Sequence, residues 1–161
     1  MELFEGGLKD IYFAEKALIK AIPTMIGNAT LDDLIDASTN HLAETENQVI
    51  KLESVFASID KNAEAVKYEA MVGLMKEASE IMEQCEEGSM RNDGIISAAQ
   101  KVEHYEIATY GTLRQFAETL GLTKAMPLLE ETFDEEKAAD IKLIEVAVEP
   151  VNIDTAEIKT S

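Results

Sequence analysis

Cysteine is almost absent from this chain. Cys85 is the only one among 161 residues, so no intrachain disulfide and no cysteine-based zinc site can form. Its setting, "MEQCEEG", is acidic and disfavours a reactive thiolate. Proline and glycine are scarce as well, at three and eight, while hydrophobic residues make up 46%; a helix-rich globular domain is expected rather than disorder. No stretch approaches the roughly 20 apolar residues of a membrane span. The first ten residues, "MELFEGGLKD", lack the basic region and apolar run of a signal peptide, so a cytoplasmic location is expected. Basic residues are few: 14 against 32 acidic, a formal net charge of -18. Such a surface repels nucleic acid and anionic membranes. Lys16, Lys20 and Lys51 stand isolated among acids, and Gly6-Gly7 lacks the context and lysine of a phosphate loop. Two histidines, without geometry, define no serine–histidine–acid triad.

What is present is apolar periodicity at helical spacing. Phe4, Leu8, Ile11, Leu18, Ile22 and Met25 predict a first helix over about 3–26, which Pro23 should kink or end. Thr30 is a good N-cap for a second helix over 31–59, with Asp32 and Asp33 in its first turn and Leu34, Leu52, Val55 and Phe56 as core candidates. A shorter helix over 66–84 carries Met71, Leu74, Met75, Ala78 and Ile81. A fourth runs over 93–120 and stops at Gly121; a fifth, capped by Thr123 with Pro127 near its first turn, extends to about 148. Pro150 ends regular helix, which divides the chain into a domain over 1–149 and a tail over 150–161. Four long helices and one short one read as an all-α four-helix bundle. The short helix is an accessory in a long crossover, as in ferritin-like topology. "ENQVIKLESV" and "KAADIKLIEV" form a weak internal echo that sets Glu44 opposite Glu135.

Acidic residues interrupt these apolar faces. In the stripe 4, 8, 11, 15, 18, 22, 25 every member is apolar except Glu15. His41, Glu44 and Gln48 follow at steps of three and four on the second helix. Glu103, Glu106 and Tyr110 line one face of the fourth, Glu106 the stronger candidate ligand. His104 points about 100° away from Glu103 and reads as a packed surface residue. On the fifth helix the stripe 129, 133, 136, 140, 143 selects Glu136, with Asp140 one turn on, whereas the echo selects Glu135. Buried carboxylates require a positive partner. Glu15, His41, Glu44, Glu103, Glu106 and Glu136 therefore form a candidate metal site. Its oxygen-rich, nitrogen-poor donors suit iron or manganese, as two ions bridged by glutamates with dioxygen or peroxide as small-molecule substrate. Tyr12, Tyr105 and Tyr110 are candidate donors to the ligating carboxylates.

The segments "LKDIYFAEKALIKAIP", "HLAETENQVIKLE" and "AAQKVEHYEIATYGTLRQFAE" resemble the bacterial YciE/YciF-like, stress-linked family of the ferritin-like superfamily, over roughly residues 3–147. The resemblance implies a ferritin-like bundle, a homodimer and a di-iron type centre. The wider superfamily carries a glutamate on the first core helix, Glu-x-x-His on the second, a glutamate on the third and Glu-x-x-His on the fourth. Glu15 and Glu106 match. On the second helix the step after Glu44 reaches Asn47, and on the last the step after Glu136 reaches Ala139, so both forward histidines are missing. Three functions remain: a metal-binding stress protein that oxidises ferrous iron or consumes peroxide, a non-enzymatic structural or interaction protein with a vestigial site, and iron storage in a cage.

Overall fold

In the computed structural model, which describes residues 1–148, the chain forms five helices: α1 (Glu2–Asn28), α2 (Asp32–Ser58), α3 (Glu69–Gln84), α4 (Ser89–Thr119) and α5 (Ala125–Val148). α1 packs on α2, α2 on α5 and α4 on α5, with α1 also against α4. The four long helices close a ferritin-like bundle, and α3 lies in the crossover between α2 and α4, against α4 and α1. The expected tail over 150–161 lies outside the described residues. Among the described residues no helix is long and apolar enough to cross a membrane.

The helix ends follow local chemistry, not always as the sequence predicts. α1 is not ended by Pro23 but runs on to Asn28. Pro23 is exposed, so the carbonyl it leaves unbonded one turn back is within reach of water. Thr30 does not cap α2; Leu31 holds that position without a side-chain bond. The Thr30 backbone N–H donates to Asn92 Oδ1 across 2.9 Å, and Asn92 Nδ2 donates to Thr30 Oγ1 across 2.9 Å. This latch ties the α1–α2 turn to buried Asn92 at the start of α4. α4 begins at Ser89, four residues earlier than predicted, where Arg91 Nε and Nη2 donate to the Cys85 carbonyl at the end of α3. Thr123 likewise stands outside α5, whose first N–H groups donate to the Leu122 carbonyl.

α4 stops at Gly121 as expected. Gly121 has φ +69°, and Leu122 N donates to the Ala117 carbonyl and Gly121 N to that of Glu118. This is the left-handed glycine stop. α2 ends in the same pattern on Asp60, φ 57°, with Lys61 N bonded to the Phe56 carbonyl. Asp60→Gly is therefore expected to stabilise the fold by up to about 1 kcal/mol and Gly121→Ala to destabilise it by about 1 kcal/mol. Thermal melts of the two variants check both signs.

The core is divided. A larger apolar cluster contains Phe4, Leu8, Ile11, Leu52, Phe56, Leu113 and Leu129. A smaller one holds Leu34, Ile95, Ile96, Leu143 and Val146. Along α2, α4 and α5 the polar residues fall between members of the two clusters. The helical register that builds the core thus also sets a polar layer inside it.

Candidate metal centre

Four glutamates, one from α1, two from α4 and one from α5, lie in that layer. Glu15, Glu106 and Glu136 are wholly inaccessible to solvent, and Glu103 is 3% exposed. His41 of α2 completes the group. Its Nε2 lies 3.3 Å from Glu103 Oε1. One donor atom from each of His41, Glu103, Glu106 and Glu136 falls within 4.8 Å of the others. Glu15 stands beside them, its carboxyl against that of Glu106, as the Glu103 carboxyl lies against that of Glu136.

The electrostatics are unfavourable for anions. Burial pushes the acid strengths of all four glutamates down, so that each pKa lies above its ordinary range. Mutual repulsion adds to this: Glu136 acts on Glu15 and Glu103, and Glu15 on Glu106. His41 works in the opposite direction on Glu136. Seven buried polar atoms here have no hydrogen-bond partner among the described residues: Glu15 Oε2, Glu103 Oε2, both oxygens of Glu106, both of Glu136, and His41 Nδ1. Proton sharing between adjacent carboxyls is the local remedy; a cation is the other.

The donor set fits a metal. Four carboxylates carry four negative charges, which two divalent ions neutralise and one does not. Oxygen donors with one imidazole suit iron or manganese better than thiolate-seeking ions.

The other candidates are placed as follows. Glu44 does not reach the cluster. Its side chain is 48% exposed and 3.7 Å from His41 Nδ1. A step of three residues turns it about 60° from the His41 direction, whereas seven residues bring Gln48 back within about 20°. Gln48 is accordingly buried. Of the two adjacent glutamates on α5, Glu136 enters the cluster and Glu135 does not. Glu135 accepts from Lys51 Nζ at 2.6 Å and from Gln48 Nε2 at 3.2 Å, and Lys51 also meets Glu131 at 2.8 Å. The echo thus pairs Glu44 with Glu135, both outside the layer. His104 is on the surface, 68% exposed, with Nε2 3.3 Å from Asp140 Oδ1.

Only one of the three tyrosines donates to a cluster carboxylate. Tyr110, fully buried, gives its hydroxyl proton to Glu15. Burial and the adjacent Glu15 charge hold the Tyr110 phenol well above its ordinary pKa, so it remains a donor. Tyr12 instead donates to Glu53 at 2.8 Å. The Tyr105 hydroxyl is buried with no hydrogen-bond partner among the described residues, its ring stacked on Tyr68 at 5.5 Å between centroids. Lys51 is the role that sequence reasoning misses. A lysine at the end of a Gln-x-x-Lys step was the available signal only in outline, since its partner in "EETFDEE" sits 84 residues away.

A bundle of this topology, with a glutamate layer between two apolar blocks, defines a protein of the ferritin-like kind. The family described as a domain of unknown function (DUF892) matches residues 1–156, and the chain belongs to it. Its relatives include protein YciF of Escherichia coli strain K12, 44% identical over 152 residues, covering 94% of this chain and 92% of that protein. The crystal structure of the E. coli stress protein YciF superimposes with a TM-score of 0.90 at 43% identity, covering 94% of this chain and 96% of that one. YcfI from Rhodopseudomonas palustris gives 0.84 at 43% identity, covering 88% and 90%. A protein from Xanthomonas campestris pv. campestris shares the fold, with a TM-score of 0.75 at 18% identity over 99% and 98% of the two chains.

Proposed function

We propose that this protein is a ferritin-like stress protein that binds two iron or manganese ions and uses them to oxidise ferrous iron or to consume peroxide. The observation that carries this is the layer of four buried glutamates around His41 with oxygens that lack partners. His41, Glu103, Glu106 and Glu136 would hold one ion, and Glu15, beside Glu106, would complete the place of the second. When bound, the ions supply the one-electron steps that no side chain here offers. The chain's own part is to fix the carboxylates and to exclude water. Tyr110 orients Glu15 through its hydroxyl. Gln48 and Lys51 hold Glu135 away from the layer, so that Glu136 faces inward alone. The exposed Ile141, Ile144 and Val148 of α5 support the homodimer that the family resemblance implies.

Metal content after native purification, from cells supplied with iron and manganese, tests this. About two equivalents per chain are expected for the wild type and fewer than about one for Glu15→Gln and Glu106→Gln. Unchanged stoichiometry in both variants rejects the assignment. A non-enzymatic structural role is the second possibility, favoured by the lone imidazole at the layer. Absence of metal, with failed anaerobic ferrous reconstitution, decides for it.

A further inference from the structure

Beside the glutamate layer lies a cavity of 240 Å³ that opens between α1, α2, α4 and α5. Four alanines leave this space: Ala37 of α2, Ala99 of α4, and Ala138 and Ala139 of α5. Met25 and Leu143 extend the apolar wall. The inner lining differs. It includes His41 and Glu103 of the layer, and Glu103 is 3% exposed with Oε2 unpartnered. His41 Nδ1 is also buried and has no hydrogen-bond partner among the described residues. His41 Nε2 lies 3.3 Å from Glu103 Oε1, and Nδ1 lies 3.7 Å from Glu44 Oε2, beyond hydrogen-bond reach. The lining therefore combines a mainly apolar wall, with Glu44 and Lys142 at its exposed side, and two buried polar atoms that have no hydrogen-bond partner among the described residues.

We propose that this cavity binds a small neutral organic molecule with an apolar body of about six to nine carbons and one hydroxyl or hydroperoxyl group. Size sets the body. A dry cavity of about 150 Å³ takes benzene, and typical drug-sized pockets begin near about 300 Å³. The two unpartnered atoms set the polar end: a hydroxyl, donor and acceptor at once, can pair with His41 Nδ1 or Glu103 Oε2. Charge favours neither sign: Glu44 and Lys142, of opposite charge, stand at the open side with side chains 48% and 57% exposed, and the alanine wall offers no partner to an ion of either sign. Hydrogen peroxide alone needs no such wall. As a substrate pocket, with organic hydroperoxides as the substrate class, the proposal rests on the metal-centre assignment; as a binding pocket it does not.

The test uses 2-phenyl-2-propanol, titrated into the metal-free full chain and followed by the methyl resonances of Ala37, Ala99 and Ala138. Saturable binding with a dissociation constant on the order of 1 mM or below is expected. Ala138→Leu and Ala37→Leu fill the cavity from different helices and weaken binding by about tenfold or more, while melting temperature and metal stoichiometry hold. Cumene, which lacks the hydroxyl, binds about tenfold more weakly. Absence of saturation, undiminished binding in both variants, or equal binding of cumene overturns the proposal. Saturable alcohol binding in a protein that takes up no metal rejects the metal centre alone.

Discussion

Raising the pH of the metal-free protein from about 5 to about 8 is expected to lower its stability by roughly 2–4 kcal/mol. The cause lies in the four buried glutamates, whose folded-state pKa values stand above the ordinary 4.5 because burial and mutual repulsion disfavour charge. Below that value both states carry the protons and pH has no effect through these groups. Above it the unfolded chain releases protons that the folded chain retains. Folding then takes up protons, and stability falls with rising pH until the folded-state pKa values are passed. General repulsion at a net charge of -18 acts in the same direction, but salt screens it. Glu106→Gln separates the two. It has no proton to release, so its profile should be flatter and its metal-free form more stable at pH 8 by about 1–3 kcal/mol. Exposed Glu46→Gln should leave the slope unchanged. Denaturant melts across the pH range in high salt decide; an identical slope for wild type and Glu106→Gln would sink the explanation.

Loading with ferrous or manganous ion is expected to raise the melting temperature at pH 8 by about 10 °C or more, reversibly with a chelator. An ion at about 100 times its dissociation constant contributes about 2.7 kcal/mol per site. For a chain of this size each kcal/mol is about 2–4 °C. The gain should be smaller at pH 5, where the ion must displace protons from the same carboxyls. Calorimetry under anaerobic conditions checks this. No shift at either pH would leave the buried glutamates as a neutral, proton-sharing cluster and favour the structural role.

Most of the fold was legible because apolar periodicity is local. The stripe through Phe4, Leu8 and Ile11 placed α1 and exposed Glu15 as its one exception, and both hold in the structure. The helix starts were less legible, because partners across the bundle outcompete local caps. Thr30 looks like a cap until Asn92, 62 residues away, takes both its hydroxyl and its N–H. The same limit applies to the site. Glu135 and Glu136 are equivalent to any local rule; Lys51 and Gln48 separate them from across α2. Glu44 fails for an angular reason that spacing alone blurs, since residues three apart share a face without sharing a direction.

The division of the core has a temporal consequence. Two apolar blocks, one around Phe4 and Leu129 and one around Leu34 and Leu143, flank the polar layer and bury their surfaces whatever the layer contains. Such a chain leaves the ribosome able to adopt its shape before any ion is at hand, unlike small domains that metal alone folds. On the proposed metal centre, loading would then be a separate event, governed by supply rather than by folding, and the finished scaffold would wait through scarcity to be filled when conditions change.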